Sequence, residues 1–375
     1  MSTGKAKLAV SMLLIVFTSC LNESADSLPR TPSRTILFYM AGDNSLRDET
    51  QDKINALAEA WAVEGDNHLL VYQDCGVSPR LLEIKSGADG KGMVQVLAEY
   101  DNENSAAPHI FSRVLNDMTH LYPGCDYGLI MFSHSTGWLP KGTFTHPYSV
   151  AEDMGREMEL PEFAEVIPNG MFRFIIFESC LMAGVEVAYE LKDKTEYILA
   201  SSAEILSPGF TPLYDKMLAC LYKFTPALEE FAGDYVEYRQ GLSGDARSAT
   251  VSVLRPSELV PLKPLLAQVE YNISHWEWLD RTGIQYFDRR INNHLYYDLE
   301  GYIREAGTQK QINEFASILK KIVIYKASTD KFMRNTQYGY EIKQHCGLTI
   351  YIPVAKYQYL NEYRKKLRLY DPAMP

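Results

Sequence analysis

Basic residues are in short supply. The 375-residue chain carries 37 Lys and Arg against 48 Asp and Glu, a formal charge of −11, and no basic stripe runs along any segment. Affinity for nucleic acid rests on neutralising phosphates with Lys and Arg, so nucleic acid is excluded as the natural partner. Cysteine is scarce too. Six cysteines, Cys20, Cys75, Cys125, Cys180, Cys220 and Cys346, show neither the spacing of a zinc site nor the density of a small disulfide scaffold. After residue 20 no apolar run is long enough for a membrane-spanning helix. No internal repeat is present, low complexity is confined to residues 21–33, and no contiguous EF-hand-like loop offers a calcium site. What remains is an ordinary globular composition, 46 % hydrophobic and 23 % charged, in a chain long enough to bury a sizeable core.

The first twenty residues stand apart. Lys5 and Lys7 precede an apolar run from Leu8 to Phe17, and Thr18-Ser19-Cys20 follows. That is the layout of an export signal. Small residues directly before a cysteine resemble the lipobox of bacterial lipoproteins. The resemblance implies Cys20 as the lipidated first residue of a mature chain in the cell envelope, touching the membrane through its lipid only. A plain signal peptide with an incidental cysteine is the alternative. Removing residues 1–19 takes away two lysines and no acid, so the net charge moves from −11 to −13. Residues 21–33, rich in Ser, Pro, Asn and Thr, read as a flexible tether.

Apolar, β-branched and aromatic runs at 35–40, 68–73, 127–132, 172–177 and 197–200 predict five core strands, with a short extra strand at 94–97. Helical spacing lies between them: Ile54, Leu57, Ala58 and Trp61, then residues 110–120, then 181–191. Strands buried on both faces read as continuous apolar runs, and alternation with helices implies parallel crossovers. Residues 34–255 therefore predict a doubly wound α/β core. Residues 256–375 predict a mixed extension packed on it, with an aromatic helical stretch around Trp276 to Tyr302, a helix at 311–324 and a closing strand at 347–352. A strand at 249–254 ends the core.

Open parallel sheets put their working residues just beyond the carboxyl ends of the strands. Two such ends are chemically loaded. One strand runs into Ser133-His134-Ser135-Thr136-Gly137-Trp138, another into Glu178-Ser179-Cys180. A thiol near neutral pH is mostly protonated, and an imidazole beside it can take the proton and later give it to a leaving amine. The predicted helix directly after Cys180 adds a positive dipole end and backbone N–H groups. Each residue alone reads as packing. The two together leave catalysis and packing both open. Asp43 and Asn44, at a third strand end, read as a helix cap rather than a substrate contact. Trp138 reads as a cleft wall or as core, and Trp276 and Trp278 as packing.

Four segments resemble the clostripain-like cysteine peptidases, of the clan that includes caspases and gingipains. They are Tyr39-Met40-Ala41-Gly42-Asp43-Asn44-Ser45-Leu46, the His134 segment, Phe177 to Tyr189 around Cys180, and Ala200-Ser201-Ser202-Ala203-Glu204 with Pro208-Gly209-Phe210. The resemblance implies a caspase-like α/β/α sandwich with a mostly parallel central sheet and a mixed C-terminal extension. It implies an endopeptidase cutting after Arg or Lys, with Cys180 as nucleophile, His134 as base, and the backbone N–H groups of Ser135 and Cys180 as oxyanion hole. No cofactor is implied, although some relatives use calcium; no metal ligands are assigned. Two positions depart from the pattern: Ser135 stands where Gly is frequent, and Glu178 where Asp commonly holds the basic P1 side chain. Glu178 and Glu204 are thus the expected substrate-binding acids. Precursors are frequent in the clan, which makes Lys141 and Arg156 candidate processing sites between His134 and Cys180. The competing readings are a lipid-tethered binding protein on a peptidase scaffold, and a peptidase of the same fold with altered P1 selectivity.

Overall fold

All eight residues of Arg34–Ala41 are buried, as a continuous apolar run predicts for a strand covered on both sides. This strand lies inside a nine-stranded sheet. The computed structural model describes residues 33–373 apart from 77, 88–89, 144–148 and 274; the expected export signal, Cys20 and nearly all of the tether lie outside the described residues. In chain order the sheet strands are β1 (Arg34–Ala41), β2 (His68–Asp74), β3 (Arg80–Ser86), β4 (Gly92–Glu99), β5 (Asp126–Phe132), β6 (Phe172–Glu178), β7 (Thr195–Ala200), β8 (Thr250–Leu254) and β9 (Val323–Ser328). Their spatial order is β9-β8-β7-β6-β5-β1-β2-β3-β4. The central five strands, β7-β6-β5-β1-β2, run parallel. Two antiparallel strands extend the sheet at each edge.

Helices cover both faces. They are α1 (Arg47–Ala60), α2 (Pro108–Leu121), α3 (Leu160–Val166), α4 (Val185–Glu190), α5 (Tyr214–Leu221), α6 (Leu228–Gly241), α7 (Leu262–Tyr271), α8 (Leu299–Ala306) and α9 (Gln309–Ile322). Successive side chains of a strand alternate between faces. Ile36, Phe38 and Met40 of β1 therefore join Ile54 and Leu57 of α1, Met217 of α5 and Phe231 and Tyr235 of α6 in one core. Leu37, Tyr39 and Ala41 join Phe111 of α2, Phe163 of α3, Val187 of α4 and Ile303 of α8 in the other. The result is a three-layer α/β/α sandwich. Each fully buried apolar side chain stabilises it by roughly 1.5–3 kcal/mol, so a charged residue on these faces demands strong partners. Lys53, on the sheet side of α1, is such a residue.

Three local expectations change. The helix after Cys180 does not begin until Val185. Residues 181–184 instead form a turn at Leu181 followed by irregular backbone, and give their N–H groups sideways: Leu181 to Ala203 O (3.0 Å) and Ala183 to Ser201 O (3.0 Å), while Thr349 N donates to Ala183 O (2.9 Å). With their donors taken by neighbouring segments, these residues cannot start a helix. The aromatic stretch at 276–302 is mostly irregular. One 3-10 turn spans Trp276–Trp278, and no α-helix forms before Leu299. Here Asp280 and Asp288 accept from backbone N–H groups two residues on, a competitor to helix formation. The helix expected to reach residue 324 ends at Ile322, because Val323 and Ile324 join β9, the sheet's edge.

Candidate active site

The register of the sheet builds the site. Phe132, the last residue of β5, pairs with Glu178, the last residue of β6. His134 and Cys180 each follow by two residues, so two loops leave neighbouring strands side by side. Both residues line one cavity of about 880 Å³, together with Ser135, Glu178, Glu204, Arg289 and Tyr296. The structure thus brings together every side chain and backbone donor expected at the reaction centre and its acidic wall. Lys141 and Arg156 stand outside this lining. Lys141 is exposed in a turn two residues before Thr143, which does line the cavity. Arg156 is exposed on the hairpin Ala151–Asp153/Arg156–Met158.

Short polar contacts fix the two loops. Ser133 Oγ donates to Ala41 O at the end of β1 (3.1 Å) and accepts from Glu152 N (3.0 Å). Ser135 Oγ donates to Cys180 O, tying the histidine loop to the cysteine backbone. Tyr296 Oη donates to Thr136 O (2.6 Å). Gly137 has φ +66°, and a Cβ there would lie 2.8 Å from Leu181 O. Leu181 itself carries φ +63°, an unfavourable conformation for a residue with a Cβ, directly after the cysteine.

His134 Nε2 lies 2.7 Å from Ser45 Oγ. When Nε2 carries the proton and donates it to Ser45, Nδ1 is the nitrogen able to accept a proton from a thiol. Ser45 comes from the turn after β1, so three strand ends supply the histidine, its partner and the cysteine. In the sequence Ser45 stands only within the segment Tyr39 to Leu46, with nothing to mark it as a partner of the histidine. Burial lowers the His134 pKa from its ordinary value, partly opposed by Glu49. Burial and the Glu204 carboxylate push the Cys180 thiol up to about 12. The resting pair is therefore a neutral thiol and a neutral imidazole, and the helix dipole expected behind Cys180 starts too far along the chain to reverse this. Iodoacetamide should alkylate resting Cys180 more slowly at pH 7 than it does free cysteine, with the rate climbing through pH 9. Peptidase activity, followed as kcat/KM against pH, should hold further into acid than an ordinary imidazole base allows, because a lowered imidazole pKa keeps the base unprotonated there. Mass spectrometry of the Cys180 peptide after timed alkylation measures this. A fast, pH-independent rate between pH 6 and 7 would reveal a thiolate–imidazolium pair instead.

Glu178 is not an open binding acid. Its Oε1 accepts from Lys53 Nζ (2.6 Å) and Phe210 N (2.6 Å), and its Oε2 from Tyr214 Oη (2.9 Å). Gly209, at φ +63°, leaves room for that carboxylate: a Cβ there would sit 2.3 Å from Oε1. Lys53 Nζ also reaches Thr211 Oγ1 (2.8 Å), Pro208 O (3.1 Å) and Glu49 (3.3 Å). Side-chain exposure is 0 % for Lys53 and 1 % for Glu178. Lys53 went unnoticed in the sequence, although its place beside Ile54 and four residues before Leu57 was a signal. Glu204 is paired as well, with Arg289 Nε at 2.5 Å, but this pair reaches solvent.

Asp43 and Asn44 act locally. Arg47 pairs with Asp43 (2.5 Å), Asn44 Oδ1 accepts from Leu46 N, and Asn44 Nδ2 donates to Glu152 O. Asp43 also belongs to the group that could hold a metal: one carboxylate oxygen each from Asp43, Asp74 and Asp153 lie within 4.8 Å of one another. Asp74 Oδ1 and Asp153 Oδ1 are buried without a hydrogen-bond partner among the described residues, and burial, with Asp74 next, pushes the Asp153 carboxyl up to about 7. An all-oxygen set suits a hard cation such as calcium. These residues are not in the cavity lining, and no step of the chemistry runs through them. Trp138 is core, packed on Tyr351 at 5.2 Å between ring centroids. Trp276 packs under the Arg364 guanidinium, whereas Trp278 is 77 % exposed.

The clostripain family model matches residues 38–370. Among solved structures, an inactive zymogen C11 protease from Parabacteroides distasonis is 29 % identical, with a TM-score of 0.81 over 93 % of this chain and 100 % of that chain. A secreted C11 cysteine protease from Bacteroides thetaiotaomicron, in complex with an irreversible peptide inhibitor, is 28 % identical, with a TM-score of 0.76 over 90 % and 98 %. A further secreted C11 cysteine protease of Bacteroides thetaiotaomicron, at 18 % identity and a TM-score of 0.79, shares the fold. Among curated proteins, none matches.

Proposed function

We propose, from the premise that this chain belongs to the clostripain family and is a cysteine peptidase, that it is an endopeptidase cutting after Arg or Lys with Cys180 as nucleophile and His134 as base. The observation that carries the reading is the register: His134 and Cys180 each stand two residues beyond the paired positions Phe132 and Glu178, in one cavity with an acidic wall. His134 takes the thiol proton as Cys180 Sγ bonds to the scissile carbonyl carbon. Backbone N–H groups of Ser135 and Cys180 receive the oxyanion. Collapse expels the amine, protonated by His134, and leaves a thioester. Water, deprotonated by His134, then hydrolyses the thioester and regenerates the thiol.

The substrates in this reading are proteins or peptides. A similar protease binds an irreversible peptide inhibitor, and another is an inactive zymogen, which supports activation by cleavage between His134 and Cys180. Lys141 suits that cut better than Arg156, whose segment is held in a hairpin. Envelope anchoring through Cys20 rests on the signal layout of residues 5–20. No helix of the described residues is long and apolar enough to cross a membrane.

Purified protein should hydrolyse fluorogenic peptides with Arg or Lys at P1 at least tenfold faster, in kcat/KM, than the same peptides with norleucine or Gln there. Equal rates for all four would replace the basic-P1 reading with altered selectivity, a reading favoured by the burial of Glu178 against Lys53.

A further inference from the structure

Four carboxylates line the cavity: Glu49, Glu178, Glu204 and Asp288. Glu49 shares Lys53 with Glu178, and Asp288 is taken up by backbone N–H groups of its own loop, which leaves Glu178 and Glu204 to compare, and their partners differ in kind. Glu178 is locked: its cation is wholly buried and both its oxygens are engaged inside the fold. Among the described residues Glu204 is bonded by Arg289, and the side chains of that pair are 20 % and 40 % exposed. The guanidinium sits on a loop whose backbone is held independently of it. Asp288 accepts from Arg290 N (3.0 Å), Leu295 N (2.6 Å) and Tyr296 N (3.2 Å), and contacts His294 Nδ1 (2.8 Å). Tyr296 then reaches Thr136 O on the histidine loop. Arg289 can therefore swing away while its loop stays in place.

Glu204 is equally well placed. Ala203, just before it, accepts from Leu181 N and donates its own N–H to Thr250 Oγ1 (2.9 Å). The carboxylate thus stands one residue beyond a backbone bond to the residue after Cys180. Its influence reaches the thiol: Glu204 raises the Cys180 pKa and Arg289 opposes it.

We infer that Glu204, not Glu178, is the acid that reads a basic P1 side chain, and that Arg289 is an internal stand-in which the substrate's cation displaces. The inference rests on the basic-P1 reading above and assigns its selectivity to one pair. Exchanging one cation for another keeps the charge at Glu204 balanced throughout. Without Arg289 the empty enzyme would hold a partly buried, unpaired carboxylate beside its nucleophile, a costly arrangement. With it, each substrate must compete, and the affinity for basic residues is set by the difference between two similar ion pairs. Part-exposed pairs are weak enough for such exchange.

The test measures kcat/KM for matched peptides with Arg, Lys and norleucine at P1, on wild type, Arg289→Ala and Glu204→Gln, with thermal unfolding confirming that each variant is folded. Arg289→Ala should raise the basic-to-norleucine ratio about three- to tenfold, mainly through a lower KM for the basic peptides. Glu204→Gln should lower the ratio by tenfold or more. A ratio unmoved in Arg289→Ala, or a common loss across all three peptides in either variant, overturns the inference. The outcome is separate from the basic-P1 reading itself: if wild type prefers norleucine, that reading fails, yet a ratio that rises in Arg289→Ala still identifies Glu204 as the masked acid.

Discussion

Cys180→Ala is expected to lower kcat/KM toward a basic-P1 peptide by at least about 10⁴-fold, and His134→Ala to do nearly the same. The double variant should be scarcely worse than either single one. The two groups perform one act: the thiol is neutral at rest, so nucleophile strength depends on the imidazole taking its proton while the new bond forms. Remove the acceptor, and a thiol pushed up to about 12 is almost wholly protonated at pH 7. Remove the thiol, and the imidazole has no proton to take. Multiplicative losses in the double variant would mean that each residue works alone, which would sink the dyad. Gel analysis of the same proteins tests self-processing. Wild type should fragment between His134 and Cys180 and Cys180→Ala should not; identical fragmentation would assign the cut to another protease.

The paired strand ends were legible in the sequence because β1, β2, β5, β6 and β7 each carry a buried apolar run, at 36–41, 69–72, 129–132, 174–177 and 198–200. Once those strands are parallel, chemistry at their carboxyl ends converges, and His134 and Cys180 stand out. β3 was not legible, because Arg80, Glu83 and Lys85 interrupt its pattern; Glu83 is held in place by His68 and Tyr122, partners that only the fold supplies. The helix expected behind Cys180 failed for a similar reason. Val185 to Tyr189 do form one turn and more, but the backbone before them bonds to Ser201, Ala203 and Thr349, which no local pattern announces. Arg289 lies far along the chain from Glu204, in a stretch that looked helical and is not. Lys53 was legible in principle: a lysine aligned with Leu57 on an apolar helix face must find an anion.

That anion is Glu178, and Lys53→Met is expected to cost about 3–5 kcal/mol of folding stability, a fall in Tm of roughly 5–15 °C. The substitution keeps most of the side-chain volume beside Phe132, whose ring lies 4.5 Å from Nζ, so packing is a minor part of the loss. The main part is a carboxylate left buried without its cation. Glu178→Gln should be milder. Its amide oxygen can still accept from Phe210 N, and Lys53 keeps Glu49 at 3.3 Å. The double variant should recover much of the Lys53→Met loss, since it removes both charges together, and the cycle's coupling energy then measures the pair itself. Thermal or urea unfolding of the four proteins reads this directly. A Lys53→Met protein within about 1 °C of wild type would mean that the ion pair contributes nothing to the site. Activity separates structure from selectivity. Glu178 stands two residues before Cys180 and also holds Phe210 and Tyr214, so its loss should lower kcat on every peptide alike. If Glu178→Gln instead lowered the preference for Arg and Lys selectively, this buried carboxylate would be reading P1 after all, and Lys53, rather than Arg289, would be the cation that substrates have to displace.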